Sequence, residues 1–177
     1  DPIEYLHEHK RSVVAQREIG VDTESFSTGI RSAMRSAPNV ILLGEIRDLE
    51  SMEYALKFAN TGHLCLTTLH ANNAVSALER MLTFFPAEDQ ANETIRVAQN
   101  LRAISSQRLV PTVDGGKCAA MEVMINTPRV QDLITKQDLS ELRDTMAQGG
   151  KYQMRTFDQA LIQLYEKGKI SAETAIE

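Results

Sequence analysis

Glu45 lies at a position where a carboxylate can bind the metal ion of a nucleotide. It follows Gly44 at the end of the apolar run Val40–Leu43, which we interpret as a buried strand. Nucleoside triphosphatases place a carboxylate beside the metal, and such a carboxylate holds Mg²⁺, usually through water. The sequence contains no GxxxxGK[ST] phosphate-binding loop. The pattern therefore indicates half of a nucleotide site.

A second acidic cluster, Asp1–Glu4, lies at the start of the sequence. Hydrolysis of a nucleoside triphosphate needs one carboxylate for the metal and another residue to orient the attacking water. Glu4 and Glu45 could divide these roles if Glu4 also reaches the end of the strand. Taken alone, an exposed Asp-Pro turn is common, so the cluster becomes informative only beside Glu45.

His70 follows a second short apolar run, Leu64–Leu69. A helix that begins after Asp48 connects the two runs, and this βαβ pattern predicts parallel strands with a right-handed connection. Glu45 and His70 would then both lie at carboxyl ends of strands, where open α/β sheets bind ligands. We therefore favour a functional role for His70.

His63 lies at the opposite end of the second run. Seven residues of extended chain separate it from His70 by roughly 23 Å, so the two side chains cannot share one metal ion. For His63 we favour a structural role at a helix end or an interface over a functional one. Arg31 and Arg35 also have two interpretations: a solvated helix face, which we favour, or a contact with a neighbouring subunit or its nucleotide phosphates, which suits arginine.

The sequence before and after this region predicts further elements. We expect a strand over Ser12–Ile19, and a helix that Asp22 caps and Pro38 ends. A long helix is expected over Glu88–Ser105. A hairpin of Gln107–Val113 and Lys117–Ile125 should follow, because Asp114-Gly115-Gly116 lies between two β-rich runs.

After Asn126 the pattern is wholly helical. Thr127-Pro128 is a helix start, Asp138 and Glu141 resemble a capping box, and Gly149-Gly150 and Gly168 are typical of helix ends. We therefore expect two domains, an α/β portion over residues 1–126 and a helical subdomain over residues 127–177.

The composition is that of an ordinary protein domain, with 42% hydrophobic and 24% charged residues. A net charge of -5 argues against a nucleic-acid partner, because such binding needs a basic surface. No apolar run approaches the ~18 residues of a membrane helix.

Cys65 and Cys118 are expected to be buried reduced thiols. Because the sequence begins Asp1-Pro2 without methionine, we expect a piece of a longer protein.

Several segments together resemble the type IV pilus retraction ATPases (the PilT/PilU family), within the type II/IV secretion ATPases. They are DPIEYLHEHK, VAQREIG, IRSAMRSAPNVILLGEIRDLES and TGHLCLTTLHANNA, followed by FFPAE, ISSQRLV and the stretch from Gly149 to Asp158. The resemblance covers nearly the whole chain, and the order of GEIRD and TGHLxxTTLHxNxA is highly specific.

The resemblance implies a partial RecA-like core with ATP and Mg²⁺ as ligands. Glu4 would be the catalytic glutamate, and Glu45 the Walker B glutamate near Mg²⁺. His63 and His70 would form the histidine box. Asp1 belongs to the acidic box of the family, and Arg47 follows Glu45 in the GEIRD motif, so both are assigned to the surroundings of the nucleotide.

The same resemblance implies partners and a location. Members form hexameric rings that hydrolyse ATP at subunit boundaries, so we expect a homohexamer, with a paralogous retraction ATPase and an inner-membrane pilus platform protein as further partners. The expected location is the cytoplasmic face of a bacterial inner membrane, without insertion into it.

The segment Arg129–Lys136 (RVQDLITK) differs from the AIRNLIRE-like helix of PilT proteins, which favours a PilU-like paralogue. Two alternatives remain. One is a pilus assembly or type II secretion ATPase, although those usually carry a paired-cysteine metal module that this sequence lacks. The other is a ring scaffold or accessory subunit that does not hydrolyse ATP.

The 177 residues alone are expected to be inactive and to bind ATP poorly, because they lack a phosphate loop.

Overall fold

A computed structural model describes residues 2–176. The chain divides into two compact units, the first made of residues up to 46 together with 53–68, and the second of residues 47–52 together with those from 69 onward. The helices are α1 (Phe26–Arg35), α2 (Leu49–Asn60), α3 (Ala74–Thr83), α4 (Gln90–Asn100), α5 (Pro128–Thr135), α6 (Leu142–Gln148), α7 (Phe157–Glu166) and α8 (Ala172–Ile176). The strands are β1 (Val40–Leu43), β2 (Leu64–Thr67), β3 (Ala103–Pro111) and β4 (Lys117–Ile125).

The predicted βαβ unit is confirmed. β1 and β2 pair in parallel with Val40 opposite Leu64, and α2 lies between them in sequence. On β1 the side chains alternate, so that Ile41 and Leu43 are buried while Val40 and Leu42 are exposed. The paired residues Leu64 and Leu66 of β2 are exposed as well. One face of this sheet is therefore apolar and open to solvent.

The segment before α1 differs from its prediction. Residues 12–18 form no strand, and an isolated bridge between Ile19 and Thr23 follows them. Side-chain acceptors take backbone donors there: Val14 N donates to His9 Nδ1 (3.1 Å) and Glu18 N to Asp22 Oδ2 (2.8 Å). A β-type composition produces a strand only where a neighbouring backbone supplies the ladder.

The start of α1 was also predicted wrongly. Ser25 is the N-cap, and its side chain accepts from Thr28 N (3.1 Å). Asp22 instead accepts from Glu18 N (2.8 Å) within a turn. Both types are good N-caps, and only the path of the chain decides between them.

The hairpin is present, but its first strand begins earlier than predicted. β3 starts at Ala103, which pairs with Ile125, and α4 ends at Asn100. The predicted helix to Ser105 is therefore too long. Asn126 Nδ2 donates to the carbonyl oxygens of Ala98 and Leu101, both at 2.8 Å, and so takes up acceptors that another helical turn would have used.

The elements after Asn126 are helical, as predicted. Thr127 caps α5 with Pro128 at its first turn, and Gly149 and Gly168 follow α6 and α7. The capping box predicted at Asp138 and Glu141 does not form, because Asp138 accepts from Ser140 Oγ (2.8 Å) instead. A capping box is found at Thr156, with Gln159 as its partner. The division of the chain at Asn126 stays a prediction.

Cys65 and Cys118 are free thiols, as expected, but each is half-buried instead of fully buried. Burial raises the pKa of the Cys65 thiol to about 11. At neutral pH this thiol therefore stays protonated and unreactive.

Candidate nucleotide site

The carboxyl end of β1 is held to the carboxyl end of β2 by main-chain and hydroxyl hydrogen bonds. Thr68 Oγ1 donates to Gly44 O (2.7 Å), and Ile46 N donates to Thr68 O (3.1 Å). These bonds fix the backbone on both sides of Glu45, which is half-buried. The position of this carboxylate at the strand end is thus set by the neighbouring strand.

Arg47 and Asp48 begin the second unit at the start of α2. Ser51 N donates to Asp48 Oδ1 (2.8 Å), and so does Ser51 Oγ (2.7 Å). Arg47 is exposed, and its backbone N–H donates to Ser51 Oγ (3.3 Å). The hydrogen bonds from Ser51 lower the pKa of the Asp48 carboxyl below its ordinary value. Asp48 caps the helix as predicted, which directs its carboxylate to the helix backbone.

His70 is exposed and lies in the second unit. An open groove of about 560 Å³ runs along the loop after it and one side of α3; Leu69, His70, Ala71, Asn72, Ser76, Glu79, Arg80 and Thr83 line it. The Arg80 guanidinium lies over the Phe84 ring, 5.1 Å from its centroid. The groove is polar and offers both an imidazole and charged side chains to a ligand.

His63 lies in the first unit, just beyond the end of α2. Its Nδ1 is 3.0 Å from Thr61 Oγ1 and 3.3 Å from Phe58 O. Its ring packs edge-on against Phe58, with the centroids 6.0 Å apart. These contacts close the carboxyl end of the helix and support the helix-end interpretation.

Glu4, Arg31 and Arg35 lie on the surface of the first unit. Glu4 is exposed in a segment that forms neither helix nor strand, and its approach to the end of β1 stays a prediction. Asp1 lies outside the described residues. Arg31 and Arg35 are exposed on α1, where Arg31 Nη2 donates to Ser27 Oγ (2.8 Å) within the same helix.

Two residues near these positions were missed by the sequence reasoning. Thr68 holds Gly44, and Glu122 on β4 accepts a hydrogen bond from Ala74 N (2.8 Å) at the start of α3. A signal for Glu122 was available, because strand alternation places it on the same face as Ala120 and Met124. An acid on an apolar face needs a partner.

The donor chemistry fits a magnesium ion that is held mainly by water and phosphate oxygens. Within residues 2–176, no group of three His, Cys, Asp or Glu side chains could hold a metal ion by itself. Mg²⁺ keeps several waters and takes one or two carboxylates beside substrate phosphates. One carboxylate at a strand end, such as Glu45, matches that requirement.

A parallel βαβ unit with an acid at the carboxyl end of a strand defines an α/β protein with the arrangement that open sheets use for ligand sites. The family model "Type II/IV secretion system protein" matches residues 1–165, and the chain belongs to this family.

Among curated relatives, the chain is 50% identical over 177 residues to the type IV pilus ATPase PilU of Pseudomonas aeruginosa, covering 99% of this chain and 46% of that protein. It is 42% identical to the type IV pilus retraction ATPase PilT of the same organism, covering all of this chain and 52% of that protein. The chain thus spans about half the length of these relatives.

Solved structures show the same fold. The pilus retraction motor PilT with bound ADP superposes with a TM-score of 0.90 at 41% identity, over 99% of this chain and 50% of that one. The Legionella pneumophila ATPase DotB superposes with a TM-score of 0.80 at 31% identity, over 93% of this chain and 45% of that one. The expected α/β fold and family resemblance are therefore confirmed.

Proposed function

We propose that this chain is part of a motor ATPase that drives type IV pilus retraction, and that the motor is PilU-like. The observation that carries the proposal is the 50% identity to PilU across almost the whole chain, together with an acid held at the end of β1 by Thr68. The parent protein would bind ATP and Mg²⁺, and the ADP bound to the similar PilT motor supports the nucleotide.

The residues divide the chemistry between them. Glu45 would hold the magnesium ion through water, and the ion would neutralise charge on the phosphates. The backbone on both sides of Glu45 is fixed at the strand end where open α/β sheets bind ligands. Glu4 orients the attacking water, and His70 contacts the nucleotide from the loop before α3. Arg47, Asp1 and His63 belong to the surroundings of the site.

The assembly would be a homohexamer, with Arg31 and Arg35 exposed on α1 to contact a neighbouring subunit or its nucleotide. A paralogous retraction ATPase and the inner-membrane pilus platform protein are the further partners. None of the helices described in the structure is long and apolar enough to span a membrane. We place the motor at the cytoplasmic face of the inner membrane.

A secretion or assembly ATPase is the less favoured alternative. The type II secretion system protein E of Xanthomonas campestris is 39% identical over only 64% of this chain, whereas the similarity to PilU and PilT extends through the C-terminal helices. The longer extent of the match to the pilus ATPases is what favours the retraction motor.

The test is steady-state phosphate release by the full-length protein. Glu45→Ala and Glu4→Ala should each lower turnover roughly 10²-fold or more, since both residues act on the metal or the attacking water. Glu53→Gln, which changes an exposed acid on α2, is the matched control and should leave turnover unchanged. Normal turnover in both alanine variants would refute the assigned roles.

The same assay separates a motor from a scaffold. A full-length wild-type protein that assembles into rings but releases no phosphate would support the accessory role. Calorimetry on the 177-residue chain should detect only weak ATP binding, because backbone amides and a lysine of a phosphate loop are what cradle the phosphates.

A further inference from the structure

We propose that Glu122 is a positioning residue for the His70 loop (residues 70–73), acting through its bond to the start of α3. The proposal rests on the proposed function, in which His70 contacts the nucleotide. Glu122, Ala74 and the His70 loop all belong to the second unit. Glu122 itself has no part in the proposed nucleotide chemistry.

Glu122 is an acid on the buried face of β4. It is only 7% exposed, and the neighbouring residues on that face, Ala120 and Met124, are buried as well. Placing a carboxylate there is costly unless it is hydrogen-bonded. Its Oε1 accepts from Ala74 N at 2.8 Å, and Ala74 is fully buried. This hydrogen bond therefore gives a partner both to the buried carboxylate of Glu122 and to the buried N–H of Ala74.

This bond ties the start of α3 to the hairpin. Asn73 caps the same helix by accepting from Ser76 N (2.8 Å), so two of the open backbone donors at this helix end have partners. The charge of Glu122 is also favourable at the positive end of the helix dipole. Asn73 secures the helix to its own preceding loop, whereas Glu122 secures it to a strand that lies 48 residues further along the chain.

Arg108 makes a second connection from the same hairpin. It pairs in register with Ala120, and its Nη2 donates to Asn72 O (3.4 Å). Its guanidinium lies over the ring of Phe157 at the start of α7, with Cζ 4.3 Å from the ring centroid. The aromatic ring restrains the guanidinium, which in turn holds the loop.

The two connections restrict His70 through the chain itself. Asn72 is two residues after His70, and two residues of chain span at most about 7 Å. With Asn72 and Ala74 both held by the hairpin, the His70 Cα stays within that distance of an anchored residue. Misplacement of a contacting group by about 1 Å can lower turnover roughly 10²-fold.

The first measurement is hydrogen exchange of the full-length protein, followed by mass spectrometry of peptides that cover residues 70–78. Glu122→Ala removes the acceptor and should raise exchange at the start of α3. Glu122→Gln keeps an acceptor oxygen and should preserve protection. Because this readout does not depend on turnover, unchanged protection in Glu122→Ala overturns the anchor even if the protein proves not to hydrolyse ATP.

The second measurement is a double-mutant cycle on ATP turnover. Glu122→Ala should lower kcat about 10- to 100-fold with little change in KM, and Glu122→Gln should recover most of it. In a His70→Ala background the further loss should disappear, since Glu122 acts through His70. Losses that multiply would overturn the proposal, because Glu122 would then act independently of that residue.

Arg108→Ala covers the case in which Glu122→Ala fails to fold, because Arg108 is exposed. It should give a smaller loss of kcat that also disappears with His70→Ala, whereas Gln107→Ala, which changes the exposed neighbour on the same strand, should be neutral. A neutral Arg108→Ala together with an inactive Glu122→Gln would overturn the proposal. Absence of turnover in the wild-type protein would instead refute the proposed function.

Discussion

At the scale of single residues, hydrogen bonds along the backbone decide where each acid near the end of β1 is held. Glu45 and Asp48 lie three positions apart, but the Asp48 carboxylate accepts two hydrogen bonds from Ser51. Glu45 lies between two residues, Gly44 and Ile46, whose main chains bond to Thr68. The sequence predicted both positions correctly, because a helix cap and a strand end each have local signals.

Replacing Asp48 tests the cap. Asp48→Ala should lower the free energy of unfolding by about 1 kcal/mol, since Ser51 N loses its acceptor. The folded-state pKa of Asp48 lies below its ordinary value, so the stabilisation by the carboxylate is complete above the unfolded-state pKa. It is lost as the pH falls through the folded-state pKa.

Asp48→Asn is the matched control, because the amide oxygen still caps the helix but does not titrate. Urea unfolding of the full-length protein and both variants, followed by circular dichroism between about pH 7 and about pH 3, measures the difference. The same pH dependence in wild type and Asp48→Asn would contradict the assignment.

At the scale of elements, local patterns located the strands and helices but misjudged where some of them end. Leu101 and Ile104 continue the apolar period of α4, yet the chain leaves the helix after Asn100 and begins β3 at Ala103. Asn126 and the pairing of Ala103 with Ile125 decide this boundary. Such contacts span about 25 residues of chain, so a short window cannot contain them.

The end of α6 gives a prediction at this scale. A Cβ added at Gly149 would lie 3.0 Å from Met154 Cβ and 3.1 Å from Thr145 O, and would overlap Met154 Cε. Gly149→Ala should therefore lower the free energy of unfolding by roughly 1–3 kcal/mol.

Gly150→Ala is its control, because a Cβ there meets nothing within 4 Å, and its effect should stay within about 0.5 kcal/mol. Thermal unfolding of the two variants in the full-length protein compares them directly. Equal midpoints would show that the Met154 side chain and the helix end move aside without cost.

At the scale of the whole molecule, the sheet of the first unit has one uncovered face. Leu42 is 73% exposed, and its register partner Leu66 is 45% exposed. Parallel sheets are ordinarily covered on both faces, and exposed apolar patches promote association. This exposure belongs to the 177-residue chain, which spans about half of its relatives.

The 177-residue chain on its own is therefore expected to self-associate in sedimentation velocity experiments. Leu42→Thr combined with Leu66→Thr should reduce association, because threonine keeps the preference for a strand but removes apolar surface. Leu109→Thr changes an exposed leucine of the second unit and should leave association as it is. Association that is equal in all three chains would show that this face is not responsible.

The sequence by itself determined the βαβ unit, the hairpin, the helix starts at Asp48 and Thr127, and the family, because each of these depends on neighbouring residues or on a continuous motif. Only the tertiary structure decided that residues 12–18 form no strand, that α4 ends at Asn100, and that Glu122 reaches Ala74. The physical reason is the same in each case. A backbone donor or acceptor bonds to whichever partner the fold brings to it. For these residues, whether a partner is present depends on segments of the chain that lie outside the local sequence pattern.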